Sequence, residues 1–201
     1  MLKNKFLQGL IALVVLGVIV YTFLGEETTV STDEYTAQIE KERKDKDQFF
    51  KNSPQSPLLQ KEGFKGLKYF PADQAYKVIA SIEPYEKDDK EVKVPLTDGT
   101  TDTYQKLGFA VFTLKDTPCR LLVYQHSEGI SILFRDGTTS KDTYGGGRYL
   151  DFKLSDIQNN RLTIDFNKAY QPYCAYNPTY ACPIPPQENT LPVRVEAGEK
   201  Y

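Results

Sequence analysis

The stretch Arg161-Leu-Thr-Ile-Asp-Phe-Asn167 alternates apolar and polar side chains with a period of two. Successive side chains of a β-strand point to opposite faces of its sheet, so Leu162, Ile164 and Phe166 share one face. The opposite face carries the polar residues Arg161, Thr163, Asp165 and Asn167. This alternation predicts an antiparallel strand that packs its apolar face on a core.

The same signal recurs in short segments rich in β-branched and aromatic residues, which turn residues separate. Further strands are predicted at Tyr76–Glu83, Val92–Leu96, Phe109–Leu114, Arg120–Gln125, Ile130–Arg135, Tyr149–Leu154 and Leu191–Glu196. One helix is predicted over Ser31–Asn52, where Ser31 and Glu34 form a capping-box pattern. Many short strands with one N-terminal helix indicate a mainly β fold, an antiparallel sandwich or partly open barrel of about nine strands.

The dipeptide Asn159-Asn160 predicts a tight turn that joins Tyr149–Leu154 to Arg161–Asn167 as a hairpin. In such a hairpin one common polar face is lined by Tyr149, Asp151, Asp165 and Asn167. This face is either exposed to solvent, which is usual for an antiparallel sheet, or the polar wall of a pocket.

An uncharged run, Phe6–Leu24, precedes the predicted β domain. As a helix its ~19 residues span roughly 28 Å, close to the ~30 Å hydrocarbon core of a bilayer. Lys3 and Lys5 precede the run, so the positive-inside rule places the domain outside the cytoplasm. The run predicts a single-pass inner-membrane anchor with a periplasmic domain, and a cleaved signal peptide is the alternative. The predicted organisation is an anchor or signal segment at 1–25, a linker at 26–32 and the β domain at 33–201.

The charged residues restrict the classes of function. The net charge is −2, whereas non-specific nucleic-acid binding needs a basic face, so no nucleic-acid partner is expected. A histidine-based metal site would depend on the one histidine, His126, which we interpret as a surface residue at a loop edge. The sequence therefore predicts neither a metal nor a cofactor.

The block Asp165–Asn189 contains two cysteines, four tyrosines and five prolines and fits neither a helix nor a strand. Such irregular segments are usually loops held against a scaffold, where functional residues concentrate. Cys174 and Cys182 are candidates for a disulfide or a buried pair. Alternatively, Cys174 is a catalytic thiol or the two residues are metal ligands. Glu188 is a candidate general base or a residue that satisfies the loop backbone.

The stretch Tyr144-Gly-Gly-Gly-Arg-Tyr149 supports two interpretations. Glycine backbone and the guanidinium of Arg148 can together bind an anion. In the other interpretation the glycines form a tight bend, and Arg148 pairs with a structural carboxylate such as Asp136 or Glu188.

The block Asp165–Asn189 follows Ser56–Leu58, Gly66–Pro71 and Phe134–Tyr149 in the chain and precedes Ala197–Tyr201. In this order they resemble the DUF1684 family of uncharacterised bacterial proteins, over roughly residue 35 to the end. The resemblance implies no activity, because the family has no assigned function.

The leading functional hypothesis is a non-enzymatic domain that binds a small polar or anionic ligand or an envelope partner. Its predicted ligand contacts are Tyr144, Gly147, Arg148, Tyr149, Asp165, Asn167, Tyr173 and Asn189. One alternative is a hydrolase or transferase that uses Cys174 or Glu188 together with Arg148. Another is a purely structural envelope protein.

Overall fold

A computed structural model describes residues 31–201, which contain nine strands in two sheets. The strands are β1 (Lys68–Tyr69), β2 (Lys77–Pro84), β3 (Glu91–Pro95), β4 (Thr101–Leu114), β5 (Thr117–His126), β6 (Gly129–Phe134), β7 (Arg148–Phe152), β8 (Arg161–Asp165) and β9 (Glu199–Lys200). The larger sheet has the order β7-β6-β5-β4-β2-β8, with β3 also paired to β4. The smaller sheet pairs β1 with β9, and every pairing is antiparallel.

The larger sheet curls into a half-barrel, which confirms the mainly β class and the partly open barrel. Its main core cluster draws on β2, β4, β5, β6, β7 and β8, with the apolar face of the opening stretch, Leu162, Ile164 and Phe166, among its members. The long strand β4 pairs with both β2 and β5, and its register shifts between Lys106 and Gly108. A side chain at Gly108 would place its Cβ 2.4 Å from the carbonyl oxygen of Glu83, so glycine permits this close approach.

The predicted hairpin between Tyr149–Leu154 and Arg161–Asn167 is wrong. Strands β7 and β8 lie at opposite ends of the larger sheet, and β8 pairs with β2. Asn159 and Asn160 do form a tight turn with positive φ, but the turn connects Gln158 to Arg161. The alternation within each strand fixed its faces correctly, whereas it carries no information on which strand becomes the neighbour.

Helix α1 (Thr32–Asn52) confirms the predicted helix, and Ser31 Oγ accepts the backbone N–H of Glu34 at 3.2 Å. Its buried face consists of Tyr35, Ile39, Arg43 and Phe50. Residues of α1, β7 and β8 line one cavity of about 380 Å³. The helix therefore lies beside both edge strands of the half-barrel.

The segment Cys182–Asn189, here called the proline strap, covers the other face of the sheet. There it lies near a second apolar cluster, Val94, Leu122, Tyr124, Leu133 and Tyr149. Leu96 bridges Pro183, and the N–H of Ile184 donates to the Pro95 carbonyl at 2.8 Å. Strands β5 and β6 are consequently buried on both faces.

The predicted strand Leu191–Glu196 is not formed. The N–H of Leu191 donates to the Arg135 carbonyl at 2.8 Å, but Pro192 follows and has no N–H to continue a ladder. The last strand is instead β9.

Within residues 31–201 no helix is both long and apolar enough to cross a bilayer. The predicted anchor Phe6–Leu24 lies outside the described residues.

Candidate functional site

Arg148 of β7 is 1% exposed, and its hydrogen bonds hold the C-terminal segment Val195–Glu199 against that strand. Its Nη2 donates to Asp136 Oδ2 at 2.7 Å and to the Val195 carbonyl at 2.8 Å, and its Nη1 donates to the carbonyls of Ala197 and Glu199. Burial lowers the pKa of Arg148, and Asp136 opposes that effect. The geometry favours the structural interpretation of Arg148, with Asp136 as the partner.

The glycine stretch forms a tight bend next to Arg148. The N–H of Gly147 donates to the Tyr144 carbonyl at 3.0 Å, and Gly147 has a φ of +92°. A Cβ at Gly147 would lie 2.5 Å from the Phe134 carbonyl oxygen, so both the φ and the close approach need glycine. Burial is the main cause that raises the pKa of Tyr144 to about 12, and the Cys174 thiol donates to its hydroxyl at 3.7 Å.

Asp165, Asn167 and Asn189, three further predicted ligand contacts, are buried and make hydrogen bonds within the chain. Asp165 accepts the Tyr35 hydroxyl at 2.9 and 3.0 Å. The Asn167 amide donates to Asp165 at 3.0 Å and to the Asp73 carbonyl at 2.8 Å. Asp165 thus holds helix α1 to the end of β8, and Asn167 holds the loop at Asp73.

The cysteines Cys174 and Cys182 lie side by side as free thiols. The N–H of Cys174 donates to Cys182 Sγ at 3.1 Å. Burial is the main cause that raises the pKa of Cys182 to about 12, so its thiolate is scarce at neutral pH. Burial also raises the pKa of Cys119, which belongs to the main core cluster. A Cys174–Cys182 bridge stays a prediction, and the structure places the two residues close together.

A cleft of about 370 Å³ opens between helix α1 and the Tyr170–Cys182 loop, and we call it the aromatic cleft. Its lining consists of Lys46, Phe49, Phe50, Tyr149, Tyr170, Pro172, Tyr173, Tyr180, Ala181 and Cys182. Two of the predicted ligand contacts, Tyr149 and Tyr173, therefore lie in one cleft.

The rings of the aromatic cleft hold one another in place. Tyr173 packs edge-on against Phe50 at 6.3 Å and against Tyr180 at 5.4 Å between ring centres. Tyr149 packs edge-on against Tyr170 at 5.8 Å, and their backbones pair as a β-bridge. Edge-to-face contacts of this kind are the favourable geometry for aromatic pairs. The cleft walls are thus preformed.

Among the described residues that line the aromatic cleft, one is charged, Lys46. Its Nζ lies 4.5 Å above the centre of the Tyr170 ring and 2.5 Å from Glu199 Oε1. Glu199 also accepts the Tyr176 hydroxyl at 2.6 Å and the N–H of Gln171 at 2.8 Å. A buried carboxylate thus fixes the Lys46 ammonium at the cleft.

A row of polar side chains crosses the sheet next to the aromatic cleft. Nε2 of His126 lies 2.8 Å from Ser131 Oγ, Ser131 donates to Asp151 Oδ1 at 2.5 Å, and the Tyr170 hydroxyl donates to the other oxygen of Asp151. Burial raises the pKa of Tyr170, with Asp151 as the next cause, so the phenol stays a donor at neutral pH. Ser131, Asp151 and Tyr170 line a further cavity of about 320 Å³.

The sequence did not predict that Lys46 or Phe50 lines a functional site. It also did not predict the row formed by His126, Ser131, Asp151 and Tyr170, here called the His126 row. Lys46 and Phe50 are four residues apart on a predicted helix, so their common face was a visible signal. The His126 row joins β5, β6, β7 and a loop, and no spacing in the sequence marks such a set. Among residues 31–201 no three His, Cys, Asp or Glu side chains form a group that could hold a metal ion.

Fold and cleft together define a mainly β domain, a curled half-barrel accompanied by one helix, with an aromatic cleft between helix and loop. A family model described as a protein of unknown function, DUF1684, matches residues 62–200, and the chain belongs to that family. A solution NMR structure of an uncharacterised protein from Haloarcula marismortui is similar, with 34% identity and a TM-score of 0.65. The match covers 85% of this chain and 96% of the archaeal chain. No curated protein matches the sequence.

Proposed function

We propose that this domain binds a small, flat ligand that carries a polar or anionic group, and that the aromatic cleft is its binding site. The observation that carries the proposal is a preformed cleft of about 370 Å³ with aromatic walls and one fixed ammonium group. Small-molecule sites are typically concave, largely apolar and aromatic, with a few placed polar groups, and the cleft volume lies within their usual range.

The parts of the cleft have separate roles in the proposal. The rings of Tyr173 and Tyr180 offer faces and edges to a planar body, and the buried ring of Phe50 packs against Tyr173 and supports it. The Nζ group of Lys46 has three donors, and its contact with Glu199 leaves others for a polar group of the ligand. The walls come from α1 and the Tyr170–Cys182 loop, so a bound ligand would join the two.

The test uses 2-naphthoate, a flat aromatic anion, as the probe with the full-length chain. We expect saturable thermal stabilisation that follows RT ln(1 + [L]/Kd), about 2.7 kcal/mol at a probe concentration of 100 Kd. Tyr180→Ser should weaken binding by roughly tenfold, because loss of one ring contact removes about 1 kcal/mol or slightly more. Calorimetric titration measures both affinities.

The matched control is Tyr201→Ser, since Tyr201 is 54% exposed and is not part of the cleft lining, whereas Tyr180 is 37% exposed at its rim. The control should bind the probe like the natural sequence. Equal affinities for the Tyr180→Ser and Tyr201→Ser variants would reject the cleft as the site.

The enzyme alternative, a hydrolase or transferase that uses Cys174 or Glu188 with Arg148, has less geometric support. Arg148 directs its Nη groups to internal acceptors, and Glu188 is exposed on the proline strap. Within residues 31–201 no hydrogen bond or ion pair joins Arg148 to Cys174 or Glu188. A purely structural role would leave the aromatic cleft without a ligand.

We also propose that Phe6–Leu24 anchors the domain in the inner membrane and that the domain lies in the periplasm. The support is the uncharged run behind two lysines. After mild reduction of intact cells with a permeable outer membrane, a membrane-impermeant maleimide should label Cys174, the one partly exposed cysteine. Cys182 and Cys119 are buried with raised pKa values and should stay unlabelled until the chain is unfolded.

Mass spectrometry of the purified chain locates the label. Cys174 labelling that appears only after the inner membrane is broken would place the domain in the cytoplasm and contradict the proposal.

A further inference from the structure

A separate cavity of about 210 Å³ lies between helix α1 and the C-terminal segment, and Lys46 and Glu199 are part of its wall. Two residues that are absent from the aromatic cleft, Arg43 and Tyr69, also line this cavity. Both residues carry buried hydrogen-bond donors without a partner among residues 31–201, Nε and Nη2 in Arg43 and the hydroxyl in Tyr69.

Arg43 is a buried guanidinium, 8% exposed, on the inner face of α1. Its Nη1 donates to Glu40 Oε1 at 2.9 Å, and its Cζ lies 4.6 Å above the centre of the Tyr69 ring. Its Nε and Nη2 are buried and find no acceptor anywhere in residues 31–201. These two nitrogens form one edge of the planar group, with parallel N–H bonds spaced for the two oxygens of a carboxylate.

The Tyr69 hydroxyl is a third buried donor at this cavity without a partner in the described part of the chain. Burial raises the pKa of Tyr69, and the carboxylates of Glu199 and Asp47 add to the effect. The phenol therefore keeps its proton at neutral pH. Buried polar groups in folded proteins are almost always hydrogen-bonded, so three such donors on two residues that line one cavity indicate an acceptor from outside the chain.

The charged residues of the wall restrict the kind of acceptor. Glu42 pairs with Lys168 at 2.9 Å and Glu199 pairs with Lys46 at 2.5 Å, so both wall carboxylates are already engaged. Three cationic side chains and two carboxylates line the cavity, and the third cation, Arg43, pairs with Glu40 at 2.9 Å. The wall is therefore close to neutral, and a monoanion costs less to bury there than a dianion.

We propose that this cavity binds a monoanionic carboxylate, with its two oxygens on the Nε–Nη2 edge of Arg43 and a further hydrogen bond from the Tyr69 hydroxyl. The proposal does not depend on the aromatic cleft, since Arg43 and Tyr69 are not part of that cleft. A guanidinium in this cavity takes the anion-binding role that was one of the two interpretations of Arg148.

The test is a titration of the full-length chain with sodium acetate at constant ionic strength, which chloride maintains. Acetate is too small to need the aromatic walls. The arginine Nε–H signals are followed by nitrogen–proton NMR, which requires no variant. We expect a saturable shift of the Arg43 signal. Arg194 is the internal control, because its Nε donates to Glu196 at 3.1 Å on the surface, and its signal should not move.

Variants then identify the donors. Arg43→Lys keeps the charge but loses the fork, and we expect at least a tenfold weaker response to acetate. Tyr69→Phe keeps the ring under Arg43 and should weaken binding several-fold. Tyr180→Ser, which removes a wall of the aromatic cleft, should leave the acetate affinity unchanged.

A static Arg43 signal, or parallel shifts of Arg43 and Arg194, would overturn the proposal and leave water as the acceptor for these donors. If Arg43→Lys abolishes acetate binding but leaves 2-naphthoate binding intact, acetate binds in this cavity and 2-naphthoate binds elsewhere. The result for the cavity is then independent of the result for the aromatic cleft.

Discussion

Replacement of Arg148 by Met is expected to lower the free energy of unfolding by roughly 3–5 kcal/mol, because it leaves a buried carboxylate without its partner. The Asp136 side chain is 1% exposed and accepts Arg148 Nη2 at 2.7 Å. The carbonyls of Val195, Ala197 and Glu199 lose their donor at the same time. Since whole domains are stable by only about 5–15 kcal/mol, this one change should bring the domain close to unfolding.

Arg148→Lys keeps the charge and tests the shape of the group. An ammonium cannot reach Asp136 and three carbonyls from one plane, so we expect a loss of roughly 2 kcal/mol or more. Urea denaturation with tyrosine fluorescence measures the free energy of unfolding for each variant.

The matched control is Arg194→Met. Arg194 forms ion pairs with two carboxylates, Asp142 at 2.7 Å and Glu196 at 3.1 Å, but its side chain is 44% exposed. Exposed ion pairs contribute about 0–1 kcal/mol, so a small loss is expected. A double variant, Arg148→Met with Asp136→Leu, should recover part of the loss by removing the buried charge. Equal losses in the free energy of unfolding for Arg148→Met and Arg194→Met would contradict the role of Arg148 in holding the C-terminal segment to β7.

The contrast between Arg148 and Arg43 shows how far the sequence could predict the site. Arg148 follows three glycines, a pattern that suggests an anion loop as readily as a bend. The contacts of Arg148 with Asp136 and with the Val195–Glu199 segment decide between these two interpretations. That segment lies far from Arg148 along the chain, so the sequence pattern around Arg148 does not show it. Arg43 lies on the inner face of a helix, where a charged residue is unexpected, yet helical spacing does place it four residues after Ile39.

The positions of the helix and of most strands along the chain were predictable from the sequence, whereas the order of the strands in the sheet was not. Helix α1 and most strands follow from local periodicity, which depends only on neighbouring residues. The order of strands depends on non-local contacts, as the misplaced pairing of β7 with β8 shows. Asp151 and Asp165 nevertheless line one cavity, because the sheet curls and α1 lies beside both edge strands. The prediction of a shared polar wall was thus right for Asp151 and Asp165 and wrong about the connection, and its other two residues, Tyr149 and Asn167, do not line this cavity.

Asn189→Ala should lower the free energy of unfolding by about 3–5 kcal/mol, because three buried backbone groups lose their partner. Asn189 is fully buried at the end of the proline strap. Its Oδ1 accepts the N–H of Leu122 at 2.7 Å, and its Nδ2 donates to the carbonyls of Leu122 at 2.9 Å and Leu133 at 2.8 Å. Leu122 belongs to β5 and Leu133 to β6, whose pairing covers only Tyr124–His126 with Gly129–Ser131. The Asn189 amide takes the place of the ladder beyond that pairing.

Asn189→Asp sharpens the test, since aspartate keeps the acceptor for Leu122 N–H but replaces the amide donor by a carboxylate that faces two carbonyls. The loss should match or exceed that of alanine. Asn177→Ala is the control, because Asn177 makes its bonds within its own turn, to the N–H and hydroxyl of Thr179. Hydrogen exchange gives a local readout: the Leu122 amide should lose protection far more in Asn189→Ala than in Asn177→Ala. Unchanged protection at Leu122 would mean that β5 and β6 pair directly in the absence of the amide. It would contradict the proposed role of Asn189 as the hydrogen-bond partner of these two strands.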